Sequence, residues 1–267
     1  MMVTGELHFQ SKKTNLFIIL CGIFLANAII AQIIGVKIFS AEKTFGIEPV
    51  GWIFFGNYVL DFNLTAGVII WPVVFITTDI INEYYGKRGV KKISFITAIF
   101  IAYTFMVLSI VTILPPASFW MEVNAKDPQG LPFDIDFAFT TIFSQGLGII
   151  VGSMIAFLLG QLIDVFVFHR LRKVTGPKWI WVRATGSTLI SQLIDSFVVL
   201  GIAFYVFGNW SLEQVISVGI INYIYKFGMA VLLTPLIYLG RHLIDKYLGK
   251  EFSERMTKEA SKDTSFI

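Results

Sequence analysis

Six long stretches of apolar residues run through this chain, and each is long enough to cross a lipid bilayer as a helix. A helix needs about 20 apolar residues to span the hydrocarbon core. The predicted spans are 15–39, 64–83, 93–114, 138–168, 186–207 and 212–239. With 55% hydrophobic and only 15% charged residues, little of the chain remains for a soluble domain. The sequence therefore predicts a single all-α integral membrane domain, a bundle of six transmembrane helices.

The basic residues predict the orientation of this bundle. Lys and Arg are enriched in cytoplasmic loops, and here they gather before span one, between spans two and three, between spans four and five, and in the tail 240–267. Outside the spans, only Lys43 and Lys126 lie on the opposite side. We therefore expect both termini inside, with 240–267 as a cytoplasmic tail. The net charge of +3 then follows from topology, so no nucleic-acid partner is expected.

The segment between the first two spans, 41–62, is expected to be irregular and to lie outside. It contains glycines and Pro49, together with an apolar run, 52–55, that is too short to span a bilayer. A re-entrant piece, an outer hairpin and an interfacial anchor all fit this composition.

Several classes of function are excluded by what the sequence lacks. The single cysteine, Cys21, cannot form an internal disulfide or a multi-cysteine metal site. His8, His169 and His242 lie in the tail regions or at a span boundary, so no catalytic arrangement at membrane depth is predicted. The chain also has no GxxxxGK[ST] phosphate loop of its own. We expect no enzymatic activity, no metal and no cofactor.

Span two carries an acidic string in an otherwise apolar stretch. Asp79, Asn82 and Glu83 are spaced i, i+3 and i+4, so they share one helix face. An ionised side chain at membrane depth costs roughly 3 kcal/mol, so these carboxylates need a partner, a wet cavity or a ligand. For Glu83, an ion pair with a basic loop residue such as Arg88 or Arg183 is an equally open interpretation.

Spans five and six carry a second polar group. Ser187 begins a row at spacing four that ends at Asp195, with Gln192 on the adjacent ridge. On span six, Asn222 and Lys226 are one turn apart. Asp195 and Lys226 both fall near mid-depth, where they form either a purely structural ion pair or a pair that also contacts substrate.

Two amides in span one, Asn27 and Gln32, and two aromatic residues, Trp71 and Phe75, complete the candidates. The amides are about 140° apart around the helix, so both need not face one site, and interhelical hydrogen bonds are the alternative for each. Carboxylates, amides, an ammonium group and aromatic rings suit a flat polar heterocycle better than an ion, which prefers a ring of like oxygens. The predicted substrate-binding set is Asn27, Gln32, Trp71, Phe75, Asp79, Asn82, Glu83, Gln192, Asp195, Asn222 and Lys226.

Span four contains small residues at spacing four, which allow close approach between helices. They are Gly148, Gly152, Ala156 and Gly160. This stripe predicts packing, either within the chain or at the seam of a homodimer, which it permits without requiring. Asp164, near the inner end of the same span, is expected to contact the basic loop that follows it.

The two polar strings resemble those of the queuosine precursor transporter family, also called the vitamin uptake transporter family. The resemblance rests on the string Asp-Ile-Ile-Asn-Glu-Tyr-Tyr-Gly-Lys at 79–87 and the string Gly-Ser-Thr-Leu-Ile-Ser-Gln-Leu-Ile-Asp-Ser at 186–196, and more loosely on 222–226 and 27–37. It implies a six-helix carrier of the bacterial inner membrane. The implied substrates are 7-deazaguanines, such as 7-cyano-7-deazaguanine, 7-aminomethyl-7-deazaguanine or queuine, imported for tRNA modification.

On this resemblance we expect alternating access about a mid-membrane site. Asp79 and Asp195 would hold the edge of the base, and Lys226 would balance charge. Three amides would complete the hydrogen bonds, namely Asn27, Gln192 and Asn222. Proton coupling and facilitated diffusion with metabolic trapping both remain open. A second hypothesis is the substrate-binding membrane subunit of an ATP-driven vitamin-type importer, with separate ATPase chains.

Overall fold

The computed structural model describes residues 2–35, 37–54, 58–144, 147–175 and 179–262, and most of them are helical. The helices are α1 (Met2–Ile34), α2 (Ala41–Thr44), α3 (Trp71–Val111), α4 (Ser118–Val123), α5 (Ile135–Phe143), α6 (Leu147–Thr175), α7 (Ile180–Leu200), α8 (Leu212–Leu232), α9 (Thr234–Leu248) and α10 (Lys250–Ser261). The strands are β1 (Ile38–Ser40), β2 (Trp52–Phe54), β3 (Tyr58–Leu60) and β4 (Asn63–Thr65). A 3₁₀ turn, Ala66–Ile69, precedes α3, and a π-helical segment, Gly201–Val206, continues α7.

Within the described ranges, five helices are long and apolar enough to cross a membrane. They are Phe9–Ile34, Trp71–Val111, Ile150–Thr175, Ile180–Val206 and Leu212–Leu232. The prediction of a mostly helical membrane fold is therefore confirmed at this level. The number differs from six because the predicted spans 64–83 and 93–114 both fall largely on α3, which is 41 residues long.

Gly86 breaks α3 into two arms, 71–85 and 87–111, because its φ of 66° and ψ of −166° are not helical. Thr78 and Ser94 lie eight residues before and after it. In a straight helix these two residues would be about 24 Å apart. Instead, both hydroxyl groups donate to Oε1 of Gln161, at 3.4 Å and 3.5 Å. The two arms therefore fold back on each other as a helical hairpin.

Two prolines that fall inside the predicted spans 64–83 and 212–239 lie in the first turns of helices. Pro72 occupies the first turn of α3, and Pro235 the first turn of α9, where a missing N–H leaves no hydrogen bond unmade. Residues 64–70 are thus strand and 3₁₀ turn, and the predicted span 212–239 is divided between α8 and α9. The predicted span 138–168 falls on α5 and α6, and residues 145–146 between them lie outside the described residues.

The segment between α1 and α3 is more regular than predicted. Strand β1 pairs with β4, and β2 pairs with β3, in both cases antiparallel. Of the three forms left open for 52–55, a hairpin is present, formed by the β2–β3 pair. The buried carboxylate of Glu42 supports the segment by accepting hydrogen bonds from the Phe62 backbone N–H at 2.6 Å and from the Ser40 hydroxyl at 2.9 Å.

The long helices pack so that α6 contacts both α3 and α7, while α1 packs on α3 and α8 on α7. Polar contacts gather the N-terminal part of α1, the hairpin tip, the end of α6 and the tail helices at one end of the bundle, here called the basic end. Tyr85 donates to the carbonyl of Lys13 at 2.7 Å, and Arg172 donates to the carbonyl of Thr257 at 2.7 Å. The segments predicted to share the cytoplasm therefore do lie together.

Candidate substrate-binding site

A cavity opens among the first arm of α3 and helices α6, α7 and α8. Its lining residues are Trp71, Phe75, Thr78, Phe157, Gly160, Gln161, Asp164, Thr188, Ser191, Gln192, Asp195 and Lys226. Five of them belong to the predicted substrate-binding set: Trp71, Phe75, Gln192, Asp195 and Lys226. The structure therefore brings together residues from four helices that are far apart in the sequence.

One wall of the cavity is aromatic. The rings of Trp71 and Phe75 are stacked, with centroids 5.8 Å apart and an interplanar angle of 17°. Phe157 of α6 lies against Trp71, with ring centroids 6.2 Å apart. One turn separates Trp71 from Phe75, so the helix itself places both rings on one face. Such a wall offers flat π-faces to a planar ligand.

The opposite part of the cavity is polar. Lys226 Nζ lies 2.5 Å from Asp195 Oδ2, and the two side chains keep 15% and 22% of their surface exposed. The pair is thus desolvated only in part and stays accessible from the cavity. Beside it, the buried Gln192 side chain has an Oε1 atom without a hydrogen-bond partner. This acceptor and the carboxylate of Asp195 are free to receive donors from a ligand.

The cavity is narrow in the present conformation. Its volume is about 30 Å³. That is room for about two water molecules. A planar base would have to separate the surrounding helices to enter.

Asp164 is a component of this site that the sequence analysis misplaced. It was expected to contact the basic loop after span four, yet its buried carboxyl accepts hydrogen bonds from Ser187 at 2.8 Å, Ser191 at 3.4 Å and Asn82 at 3.3 Å. Its side chain points toward α7 and α3 because the serine row on α7 supplies hydroxyl donors there. Gln161 lies one turn earlier on α6, so the two polar residues together could have predicted that this face of α6 points into the bundle.

Glu83 forms an ion pair, which is one of the two interpretations left open for it. Arg183 contacts its carboxylate with Nη2 at 2.7 Å from Oε1 and 2.8 Å from Oε2, while Nε lies 3.2 Å from Oε2. Arg172 lies 3.8 Å from Oε2 and also donates to the carbonyls of Asn82 and Glu83 at 3.3 Å. All of these groups are at the basic end, so Glu83 closes the bundle there and does not line the cavity.

Asp79 faces a second, smaller cavity next to the first. That cavity is lined by Phe75, Ile76, Asp79, Thr185, Thr188, Ala230, Leu233 and Ile237. Phe75 and Thr188 line both cavities and so form the partition between them. Oδ1 of Asp79 is buried and has no hydrogen-bond partner. Asp79 therefore lies beside the larger cavity without belonging to its lining.

The remaining predicted residues are not in the cavity lining. Asn82 is fully buried and donates to Asp164, whereas Asn27 donates to the carbonyl of Ile23 in its own helix at 2.7 Å. Gln32 and Asn222 do not line either cavity. Seven lining residues had not been predicted as ligand-binding: Thr78, Phe157, Gly160, Gln161, Asp164, Thr188 and Ser191.

The glycine stripe of α6 serves contacts within the chain. A Cβ at Gly152 would lie 3.1 Å from the backbone nitrogen of Ala203, and one at Gly160 would lie 3.7 Å from Cβ of Asp195. Gly152 thus lets α6 approach the π-helical extension of α7 closely, whereas a Cβ at Gly160 would make ordinary van der Waals contact with α7. The surroundings of Gly148 are not among those that the structure describes.

Comparisons with known proteins agree with this arrangement. Residues 65–240 match the model of a family described as "Putative vitamin uptake transporter". A Bacillus subtilis (strain 168) protein named "Probable queuosine precursor transporter" is 28% identical over 189 residues, which cover 68% of this chain and 75% of the relative. The Escherichia coli (strain K12) "Queuosine precursor transporter" is 26% identical over 172 residues, covering 63% and 68% respectively. No solved structure matches the chain. Because the family model spans well over half of its residues, the chain belongs to the family of vitamin uptake transporters, which are membrane transporters and not enzymes.

Proposed function

We propose that this protein imports a queuosine precursor of the 7-deazaguanine class across the bacterial inner membrane, by alternating access at the cavity. The observation that carries the proposal is the pairing of a stacked aromatic wall with a polar edge in one mid-helix cavity. The curated relatives named above are queuosine precursor transporters, and this supports the substrate class.

The chemistry of a guanine-like ring matches the two walls. Its flat face suits the stacked rings of Trp71 and Phe75. Its N–H edge carries several donors, which the Asp195 carboxylate and the Gln192 Oε1 can accept. The ammonium group of Lys226 can donate to the ring carbonyl while it balances the charge of Asp195. A buried polar edge of this kind also rejects rings that lack the matching donors, because its acceptors would then remain unpaired.

The structure has features expected of one closed state of a carrier. The cavity is too narrow for a base, and the paired Glu83 and Arg183 close the basic end below it. In this proposal each arm of α3 makes one pass, which with the other four long helices gives six passes and puts both termini on the cytoplasmic side, as the distribution of basic residues predicts. Opening toward either side then needs rearrangement about the cavity and no movement of the site itself.

Exchange of labelled 7-cyano-7-deazaguanine in liposomes containing only the purified protein tests this proposal. We expect saturable exchange, and we expect Asp195→Asn and Lys226→Met each to reduce it at least tenfold. Glu122→Gln, which removes an exposed carboxylate from α4, is the matched control and should exchange normally. Absence of exchange by a correctly folded wild-type protein, or normal exchange by both cavity variants, would overturn the assignment.

A further inference from the structure

Two buried carboxyl groups in the interior of the bundle lie without a salt bridge in the part of the chain that the structure describes. Asp79 and Asp164 are 2% and 5% exposed, and among the residues that the structure describes neither forms an ion pair. The neighbouring carboxylates differ, since Glu83 is paired with Arg183 and Asp195 with Lys226. Two uncompensated negative charges at this depth would be costly, and they would repel each other.

Asn82 is hydrogen-bonded to one of these carboxyl groups and follows the other by one turn of helix. It lies one turn after Asp79 on α3, and its amide donates to Oδ2 of Asp164 at 3.3 Å. The amide oxygen, Oδ1, is buried without a hydrogen-bond partner, as is Oδ1 of Asp79. The cluster therefore has more acceptors than donors. A proton bound to a carboxyl oxygen would remove one charge and supply one hydroxyl donor.

The groups around the cluster restrict where such a proton could come from. On α3 the nearest charged group is Glu83, and α7 contributes Arg183, which is engaged by Glu83. From α8, α9 and the residue between them, the smaller cavity beside Asp79 is lined by the apolar side chains of Ala230, Leu233 and Ile237. Asp164, by contrast, lines the larger cavity together with Asp195 and Lys226. Asp164 is thus reached from the substrate cavity.

From this geometry we infer that Asp79 and Asp164 form a proton-binding site that couples import to a proton gradient. The inference rests on the proposed function. One proton enters with the substrate, binds a carboxyl oxygen of the pair, and leaves to the cytoplasm when the carrier opens inward. The carboxyl pair gains one proton with the substrate and releases one to the cytoplasm, so the protons balance over the transport cycle.

Two measurements on the same liposomes test the inference. With the membrane potential clamped, an inside-alkaline gradient of one pH unit should concentrate 7-cyano-7-deazaguanine about tenfold in wild-type liposomes, as expected for one proton per substrate. A trapped pH dye should report acidification of the lumen when substrate is added. A protonophore should abolish both signals. Asp79→Asn and Asp164→Asn should each lose the accumulation and the dye signal, while Glu122→Gln keeps them.

Substrate exchange without a gradient separates this inference from the proposed function. If the wild type exchanges substrate but its accumulation of substrate does not depend on the pH gradient, proton coupling is overturned and the proposed transport function stands. Accumulation that follows a sodium gradient instead would also overturn it. Absence of wild-type exchange would overturn the proposed function itself. Exchange retained by Asp79→Asn shows that this variant is folded, and its gradient response then decides the role of Asp79.

Discussion

Asp79 and Glu83 lie one turn apart on the same arm of α3 and are equally buried, with 2% and 1% of their surface exposed, yet their surroundings differ completely. Glu83 forms an ion pair with the guanidinium of Arg183, which donates several hydrogen bonds to its carboxylate. Among the residues that the structure describes, Asp79 has no such partner and keeps an unbonded oxygen beside a small cavity. Burial of a carboxyl group therefore does not by itself indicate its role. The partner decides whether the group closes the bundle or stays available for a transported proton.

The same contrast extends to energetics. Removing one member of a buried ion pair leaves an uncompensated charge and is strongly destabilising, whereas removing an unpaired buried charge relieves a cost. Unbalancing the pair of Glu83 and Arg183 should therefore cost far more stability than removing the charge of Asp79. Three substitutions break or sharpen this comparison, and each is measured by unfolding of the detergent-solubilised protein.

Arg183→Met should give the largest effect. The variant leaves Glu83 with only Arg172, 3.8 Å away, so we expect the free energy of unfolding to fall by about 3–5 kcal/mol. The double variant Glu83→Gln with Arg183→Met removes both charges and should recover much of that loss. A loss below about 1 kcal/mol in the single variant would show that the pair does not stabilise the basic end.

Asp79→Asn should change the free energy of unfolding by less than about 1 kcal/mol, or increase it, because the amide keeps the shape of the side chain without its charge. Thermal unfolding side by side with the Arg183 variant gives the measurement. A loss as large as that of Arg183→Met would contradict the comparison, since it would mean that Asp79 serves as an ionised partner in the folded state.

Lys13→Met should give the smallest effect, below about 0.5 kcal/mol, because its partner Glu259 is 44% exposed and solvent screens the pair. The hydrogen bond from Lys13 lowers the pKa of Glu259 from its ordinary value of 4.5. The stabilisation is therefore present above about pH 4.5 and is lost as the pH falls below it. The difference between wild type and variant should vanish in acid, and a difference that grows on acidification would contradict this assignment.

How much the sequence revealed depends on the kind of contact. The pairing of Asp195 with Lys226 could be predicted, because both charges fall near the predicted mid-depth and each needs a partner there, whereas a contact of the pair with substrate could not. The direction of Asp164 could not, because one sequence does not fix how far a helix is rotated about its axis. Because the rotation of each helix was unknown, Glu83 had two possible roles. For the same reason the predicted set contained Asn27, Gln32 and Asn222, which do not line the cavity.

Helix boundaries show a related limit. The apolar runs located most of the long helices, since apolar length alone decides whether a segment can cross a bilayer. They did not locate the strands before α3, because each strand is only three residues long and is too short to show an alternating pattern. Pro72 and Pro235 mark the starts of α3 and α9. A proline inside an apolar run, however, predicts a kink in a helix as readily as the start of one.

At the tip of the α3 hairpin, the backbone of one residue has a conformation that L-amino acids avoid. The φ of 66° and ψ of −166° at Gly86 belong to a region that essentially only glycine enters. Reflected in a mirror, these angles become −66° and 166°, close to the polyproline conformation that L-residues adopt freely. The backbone at this point therefore follows the stereochemistry of a D-amino acid. Glycine satisfies it by having no stereocentre, so the reversal that brings the two arms together depends on the achirality of one residue.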